Sequence, residues 1–305
     1  MDRRIVFMGT PDFAVPSLIK LAERFQIVGV ITQPDRPSGR GRKLVSSAVK
    51  NAAVQLGLEV FQPDNANEEN ALQKLREWGP DLICVAAYGQ ILKPVLLDIP
   101  EFGCINVHAS LLPRWRGASP IHAAILHGDS LSGVTIMKMG PGLDDGPILA
   151  QESIQILPDE TAGSLSDRLA DLGGILVVAT IPSYLKNEIT PRLQDPSLAT
   201  YAPQLNKSAG NLNFELTAIS LARTVRAFSP WPGTFTFWNE TRLIIHQARG
   251  ISVTSPGPGV LSVYDGCPAI GTSAGILVLD LIQLAGKKKV TGPAFLNGNP
   301  NWSTT

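Results

Sequence analysis

Apolar runs and amphipathic stretches alternate through the first half of the chain. Runs such as Arg4–Met8 and Leu82–Ala87 are apolar at nearly every position, which is typical of strands buried on both faces of a sheet. The predicted strands are Arg4–Met8, Ile27–Thr32, Glu59–Phe61, Leu82–Ala87, Cys104–His108, Gly133–Met139 and Ile148–Ile156, and the predicted helices are one beginning near Phe13, Ser46–Leu56, Glu68–Trp78, Ala118–His127 and Thr161–Tyr184. This alternation predicts an α/β domain with a Rossmann-like parallel sheet covered on both faces.

The pattern changes near residue 190. Residues 190–206 are irregular and hold Pro191, Pro196 and Pro203, so they predict a linker. A helix over Thr217–Ala227 is followed by short β segments at 234–238, 243–248, 259–263, 269–272 and 275–279. Short strands with Gly, Pro and Asn turns predict a small OB-like β-barrel. The expected division is 1–189, an α/β domain; 190–206, a linker; and 207–305, a small β domain.

Composition narrows the class of protein. The chain has 305 residues, of which 44% are hydrophobic and 17% charged, as in a globular protein. The first apolar run is too short for a signal peptide, and no run reaches the ~18 apolar residues of a membrane helix. We therefore expect a cytoplasmic protein with no membrane association, and a monomer. The three cysteines have no metal-binding spacing and form no even disulfide set.

Charge is unevenly distributed although the net charge is zero. Residues 206–305 hold eight Lys/Arg and four Asp/Glu, whereas the other 205 residues hold 18 and 22. A basic C-terminal part fits a polyanionic partner. An uneven spread of surface charge with no functional meaning fits equally well.

Asn106 and His108 are the first candidates for chemistry. They lie two apart in the apolar run Cys104–His108, so on a strand they share one face. Ligands bind outside the carboxyl ends of strands in open parallel sheets, which is where this pair is predicted. The alternative is that both are polar residues at a strand end, satisfied by backbone groups.

A glycine-rich segment, Gly140–Gly146, supplies Asp144 and Asp145. An Asn, a His and an Asp together suit acyl or formyl transfer. The Asn amide donates to a developing oxyanion, the His polarises the same oxygen or moves a proton, and the Asp fixes the His tautomer. A solvated turn is the alternative for the Asp pair.

Other chemistries lack their motifs. The turn Gly9–Asp12 does not have the G-x-G-x-x-G spacing of a dinucleotide site, and H-E-x-x-H is absent. No G-x-S-x-G motif surrounds Ser110, so we expect direct attack by a substrate amine rather than a covalent enzyme intermediate. We expect no metal.

The segment after the second strand is basic and rich in glycine. From Arg36 to Lys50 there are five basic residues and no acidic ones. Such a loop is a candidate for binding phosphates. A solvated basic loop is the alternative.

These segments together resemble the methionyl-tRNA formyltransferase family. The resemblance spans most of the chain in order and rests on Gly9–Phe13, Gln33–Pro37, Gly39–Leu44, Ala87–Leu92, Cys104–Gly117, Gly133–Ile136, Gly142–Asp144 and Phe228–Gly233. It implies formyl transfer from 10-formyltetrahydrofolate to the amine of methionyl initiator tRNA. The Asn-x-His, Ser-Leu-Leu-Pro and Asp elements are shared by all folate-dependent formyltransferases, so they imply the reaction rather than the acceptor.

The resemblance also implies the roles of individual residues. Asn106, His108 and Asp144 match the catalytic trio of the family. The folate-binding loop is matched by Ser110, Leu111, Leu112 and Pro113. The tRNA-binding positions are matched by Arg36, Arg40, Arg42 and Lys43 in the basic loop and by Lys207 in the linker region.

Two rival functions remain open at the level of sequence. The first is a folate-dependent formyltransferase that acts on a sugar nucleotide or a small amine, which would not need the basic loop and the barrel. The second is a nucleic-acid-binding protein with a catalytically idle α/β domain. Formyl-transfer activity would exclude the second rival, and the choice of acceptor would decide the first.

Overall fold

The computed structural model describes residues 3–38 and 43–303, without the side chains of Ser38 and Lys43. Its strands are β1 (Arg4–Gly9), β2 (Gln26–Ile31), β3 (Arg36–Ser38), β4 (Lys43–Val45), β5 (Val60–Phe61), β6 (Leu82–Ala86), β7 (Cys104–His108), β8 (Arg116–Gly117), β9 (Leu131–Lys138), β10 (Ile148–Gln155), β11 (Tyr201–Ala202), β12 (Thr234–Trp238), β13 (Thr241–Ile251), β14 (Leu261–Tyr264), β15 (Cys267–Gly271), β16 (Ile276–Leu284) and β17 (Val290–Thr291). Its helices are α1 (Val15–Ala22), α2 (Ala48–Gln55), α3 (Glu69–Trp78), α4 (Pro94–Leu97), α5 (Pro120–His127), α6 (Ala162–Leu185), α7 (Ala218–Ala227) and α8 (Gly292–Gly298). Short 3₁₀ turns occupy Asp12–Ala14, Pro196–Leu198 and Lys207–Gly210.

The chain forms two compact units. The first contains residues 1–120, 131–155 and 166–201, and the second contains residues 121–130, 156–165 and 202–305. Two short segments of the predicted α/β domain therefore belong by their contacts to the second unit.

The first unit is built on a seven-stranded sheet of order β10-β9-β7-β6-β1-β2-β5. β5, β2, β1, β6 and β7 run parallel, and β9 and β10 run antiparallel to their neighbours. The prediction of a wholly parallel sheet is thus wrong at β9, which runs opposite to the other six strands, so that both of its pairings are antiparallel. Strand direction depends on where the connection returns to the sheet, and the apolar pattern of a strand does not record that direction.

Local sequence explains where several elements of this unit begin and end. Ser47 caps α2 by accepting a 3.0 Å hydrogen bond from Lys50 N. Gly79 ends α3 in the left-handed conformation, with φ of 52°. Central strands bury their side chains on both faces, and β6 is buried at all five positions. Buried apolar residues such as Met8, Ile31 and Leu75 form one core cluster of the unit.

The second unit contains an antiparallel sheet of order β12-β13-β16-β15-β14, with β17 paired to β16. Its core includes Trp238, Phe295 and Trp302, whose ring centroids lie 5.4–5.7 Å apart. Among the described pairings, β12 and β14 are the two edges of the sheet and do not pair with each other, so closure into a barrel is not confirmed. α8 and β17 were not predicted, because both are short and lack a clear period.

One described helix, α6, is long and apolar enough to cross a membrane by length and composition, with a mean hydropathy of 1.3. Counting uninterrupted apolar runs missed this segment because Asp167, Arg168 and Asp171 break it. Half of the most apolar 18-residue stretch of this helix is buried inside the protein, as in the core helix of a globular protein.

Candidate active site

β7 carries two of the predicted site residues and has the predicted bounds. His108 is buried and Asn106 is half-buried, two positions apart on one face of the strand. No hydrogen bond to the Asn106 side chain occurs in the part of the chain that the structure describes. Its amide can therefore donate to a ligand without breaking an internal hydrogen bond.

The His108 imidazole is held by a backbone carbonyl. Nε2 lies 2.9 Å from the oxygen of Trp115. Because a carbonyl oxygen only accepts, Nε2 must donate in this hydrogen bond. Nδ1 then faces Asp144, whose Oδ2 lies 3.7 Å away, beyond hydrogen-bond length. The carbonyl of Trp115, rather than the carboxylate expected from sequence, fixes the tautomer of the ring.

Asp144 reaches His108 from an unexpected direction. Since β9 runs antiparallel to β7, the loop after β9 begins beside the amino end of β7, where Met139 N donates to Cys104 O at 2.8 Å. The loop then carries Asp144 to the other end of β7, where its Oδ2 accepts a 2.8 Å hydrogen bond from Gly117 N. The carboxylate thus lies between a backbone N–H and the imidazole.

The neighbouring Asp145 points elsewhere. Its side chain is exposed and folds back over its own loop, so that a Cβ added at Gly142 would overlap the carboxylate. Of the two acidic residues, only Asp144 faces His108.

The predicted folate-binding loop is braced from within. Ser110 is buried and its Oγ donates to Arg114 O at 2.6 Å. Leu112 is also buried, and its carbonyl accepts a 2.9 Å hydrogen bond from Gln151 Nε2. Leu111 and Pro113 are half-buried. The loop therefore offers a ligand its backbone and the partly exposed Leu111 and Pro113, while Ser110 and Leu112 hold its shape.

Several buried polar residues around this loop were missed by sequence reasoning. Thr135 Oγ1 donates to Ser110 O at 2.6 Å and accepts from Leu112 N at 3.2 Å. Arg116 is buried and donates to Gln194 Oε1, and Gln194 in turn donates to Asp144 O. These partners are far apart in sequence, so no local spacing could have indicated them.

Exposed apolar side chains lie on the loops that follow β6 and β9. Ile91 is 81% exposed and Leu143 is 57% exposed. Large exposed apolar residues near polar chemistry are common at ligand sites. Tyr88, by contrast, is buried, and burial raises its pKa to about 12.

The cysteine near the site has the properties of a core residue. Cys104 is buried, and this burial, ahead of the nearby Asp98 charge, raises the pKa of its thiol to about 12. A thiol with so high a pKa holds almost no thiolate at neutral pH, so it is a poor nucleophile. Within residues 3–38 and 43–303 no group of three or more His, Cys, Asp or Glu side chains could hold a metal.

Two short paired strands flank the middle of the predicted basic loop, whose residues 39–42 lie outside the described residues. β3 pairs antiparallel with β4, with Arg36 opposite Val45. Arg36 is exposed, and its Nη2 donates to Gln33 Oε1 at 3.3 Å. Arg40, Arg42 and the Lys43 side chain lie outside the described residues. At the base, Lys50 is not free for a phosphate, because its Nζ lies 2.7 Å from Asp35 Oδ2.

Lys207 belongs to the second unit. It is exposed and begins the 3₁₀ turn Lys207–Gly210. The side chain of Asn206 caps this turn by accepting a 3.1 Å hydrogen bond from Ala209 N. The turn thus presents a cation to solvent at a defined position.

An α/β sheet that brings an Asn amide, a His and an Asp to one strand end is an arrangement suited to formyl transfer. Residues 3–181 match the formyl transferase family, and residues 204–300 match the formyl transferase C-terminal domain family. The solved structure of WlaRD, a sugar 3N-formyl transferase, has a similar fold, with a TM-score of 0.67 and 19% identity over 94% of this chain and 100% of its own.

Within this class, sequence similarity to methionyl-tRNA formyltransferases extends over nearly the whole chain. The methionyl-tRNA formyltransferase of Marinobacter nauticus is 45% identical over 97% of this chain and 96% of its own. That of Halorhodospira halophila is 46% identical over 98% and 97%. The chain belongs to the methionyl-tRNA formyltransferase family.

Proposed function

We propose that this protein transfers the formyl group of 10-formyltetrahydrofolate to the free amine of methionyl initiator tRNA. The product would be N-formylmethionyl-tRNA for translation initiation. The observation that carries the proposal is the similarity to methionyl-tRNA formyltransferases along both domains, at 45% identity over 97% of the chain. The Asn106, His108 and Asp144 geometry supports the same reaction.

In the proposed reaction, the neutral methionyl nitrogen attacks the formyl carbon, and the formyl oxygen becomes an oxyanion. Asn106 donates a hydrogen bond to this oxygen, since its amide has no internal partner among the described residues. A donor placed where negative charge develops is worth about 10²–10³ in rate. The C–N bond to the folate then breaks, and the folate nitrogen takes up a proton.

His108 accepts the proton that the attacking amine must lose. With Nε2 committed to the Trp115 carbonyl at 2.9 Å, Nδ1 is the nitrogen that can accept it. The resulting imidazolium gains an N–H directed toward the Asp144 carboxylate, 3.7 Å away, which stabilises the charge. The protonated ring can then also stabilise the oxyanion, so that Asn106, His108 and Asp144 act together.

The folate would bind along the loop Ser110–Pro113. The buried side chains of Ser110 and Leu112 support that loop, and Leu111 and Pro113 are accessible enough to contact the ligand. The exposed apolar side chains of Ile91 and Leu143 suit the flat faces of a pterin ring. The reaction needs no metal.

The tRNA would bind through Arg36, Arg40, Arg42 and Lys43 of the hairpin and through Lys207. Excess positive charge in residues 206–305 suits phosphates. We propose that the antiparallel sheet of the second unit belongs to an OB-like tRNA-binding domain over 207–305, after a formyltransferase domain over 1–189 and a linker over 190–206. We further propose a monomeric, cytoplasmic enzyme.

One turnover assay tests the proposal and its rivals. The protein is incubated with 10-formyltetrahydrofolate and one of three acceptors: methionyl initiator tRNA, methionyl elongator tRNA, or an amino-sugar nucleotide. We expect formylation of the initiator tRNA with a clear preference over the other two. Formylation of the sugar nucleotide alone would assign the protein to the first rival function, and no formylation of any acceptor would favour the second.

A further inference from the structure

The side-chain amide of Gln194 joins the two loops that build the candidate site. Its Nε2 donates to the backbone carbonyls of Asp144 and Gly146, each at 2.8 Å. Its Oε1 accepts from Nε and Nη2 of Arg116, at 3.1 and 2.8 Å. A glutamine amide has two N–H donors and an oxygen with two lone pairs. All four are used, so the amide has a single orientation.

Arg116, at one end of the hydrogen bonds that Gln194 makes, is held in place by burial and by its own backbone. Arg116 is 6% exposed, and its backbone N–H donates to Thr200 O at 2.8 Å. The next residue is Gly117, whose N–H donates to Asp144 Oδ2 at 2.8 Å. A buried guanidinium must have hydrogen-bond acceptors, and Gln194 supplies one. The segment that contacts the carboxylate is thus the segment that Gln194 braces.

Asp144, at the other end of the Gln194 hydrogen bonds, has a strained backbone conformation. Asp144 has a φ of 48°, in the left-handed region that non-glycine residues seldom adopt. Such a conformation persists when surrounding contacts hold it. The two hydrogen bonds from Gln194 hold the loop at this residue and just after it, one at its own carbonyl and one at that of Gly146. Without them the loop could relax and turn the carboxylate away from His108.

We propose that Gln194 is a positioning residue for formyl transfer, which acts by holding the Asp144 carboxylate between Gly117 and His108. The inference rests on the proposed function of Asp144. Gln194 need not touch the substrate. The effect of Gln194 on the reaction should therefore pass entirely through Asp144.

Two substitutions of Gln194 distinguish its hydrogen bonds to Arg116 from its hydrogen bonds to the Asp144 loop. Gln194→Glu keeps an acceptor for Arg116 but loses both donors to the Asp144 loop, whereas Gln194→Met keeps the length and loses every hydrogen bond. Small misplacements of a catalytic group can cost up to about a hundredfold in rate. We expect both variants to lower kcat about tenfold to a hundredfold, with little change in the KM for tRNA or for the formyl donor.

Asp195→Ala is the matched control. Asp195 is the next residue and is exposed, and its carboxylate caps the following turn by accepting from Ser197 N and Oγ, at 2.9 and 2.7 Å. This variant loosens the same segment without touching the Asp144 loop. It should retain the kcat of the wild-type protein.

A double-mutant cycle tests whether Gln194 acts through Asp144. In an Asp144→Asn background, adding Gln194→Met should cause no further loss of kcat. The inference would be overturned if the kcat of the double variant fell by the product of the two single losses, or if Gln194→Glu kept the wild-type kcat. Thermal unfolding identifies a variant that fails to fold, and the cycle is then run with Gln194→Glu. If the wild-type protein formylates a different amine, the proposed acceptor is wrong, and the cycle is run with that amine.

Discussion

Oδ2 of Asp144 lies 2.8 Å from the backbone nitrogen of Gly117 but 3.7 Å from Nδ1 of His108. The carboxylate is therefore anchored by the backbone and leaves a gap to the imidazole. A proton that arrives on Nδ1 would turn this gap into a charge-assisted contact. The relationship fits the proposed transfer of a proton to Nδ1 of His108.

Removal of the Asn106 or the His108 side chain on β7 should abolish most of the activity. Asn106→Ala deletes the proposed donor to the oxyanion, and His108→Ala deletes the proposed proton acceptor. We expect each change to lower kcat/KM by at least about a hundredfold while the fold is retained. Steady-state formylation together with circular dichroism measures both quantities. His246→Ala is a suitable control, because that histidine pairs with Gln283 in the second unit. Near-normal turnover of either strand variant would show that β7 is only structural.

The two adjacent aspartates should differ sharply. Asp144→Asn keeps the shape of the side chain but removes the negative charge that faces Nδ1 of His108. An Asp-to-Asn change beside a catalytic histidine can cost up to about 10⁴ in kcat, and we expect a loss of at least about a hundredfold. Asp145→Asn is the matched control and should be nearly neutral, because that carboxylate is exposed and turned toward Gly142. A larger loss in Asp145→Asn would reverse the assignment.

The sequence predicted those parts of the site that depend on local periodicity. Cys104–His108 was predicted with the observed bounds, and period 2 placed Asn106 and His108 on one face. The carbonyl of Trp115 could not be predicted as the partner of His108. That contact depends on the path of a loop in which Trp115 has a φ of 61°, rare for a bulky residue.

Long-range geometry accounts for the rest of what sequence reasoning missed. Gln194 and Arg116 meet across 78 positions, and neither belongs to a motif with a known spacing. The antiparallel direction of β9 is another case, because a buried strand has the same apolar pattern whichever way it runs. In the second unit, strand spacing predicted a small OB-like β-barrel. The strands form an antiparallel sheet, but the barrel is not confirmed, because spacing does not determine whether the edges of a sheet meet.

The base of the β3–β4 hairpin should weaken in acid. A hydrogen bond from Gln62 and the adjacent Lys50 lower the pKa of Asp35 below its ordinary value of 3.8. A carboxyl whose folded pKa is lowered stabilises the fold above its unfolded pKa, and this contribution is lost as the pH falls through the folded pKa. Asp35→Asn should therefore be less stable than the wild-type protein at pH 7, and the difference should shrink below pH 3.8.

Urea unfolding over this pH range measures the difference. Asp64→Asn serves as the control, since Asp64 is exposed and its carboxylate forms no ion pair among the described residues. The ion-pair explanation requires a larger pH-dependent difference in Asp35→Asn than in this control. A constant difference between Asp35→Asn and the wild-type protein would contradict the ion-pair explanation.

The basic segment between β3 and β4 should bind tRNA rather than the folate. Arg40 and Arg42 lie between β3 and β4 in a segment of five basic and no acidic residues from Arg36 to Lys50. Phosphate contacts release counterions, so the negative slope of log K against log salt becomes less steep by about 0.7–0.9 for each contact that is lost. Changing both arginines to Ala should raise the KM for tRNA and flatten its salt dependence, with hardly any effect on folate binding.

The matched control for this double variant replaces Arg24 and Arg76, two exposed arginines elsewhere in the first unit, so that the net charge falls equally. If general electrostatic attraction were responsible, both double variants would lose the same tRNA affinity. We expect the loss only in the Arg40 and Arg42 variant, and we expect initiator tRNA to protect the segment between β3 and β4 of the wild-type protein from proteolysis. Equal loss of folate and tRNA binding in that variant would instead place the hairpin in the donor site, since a loop that binds only phosphates should leave the formyl donor unaffected.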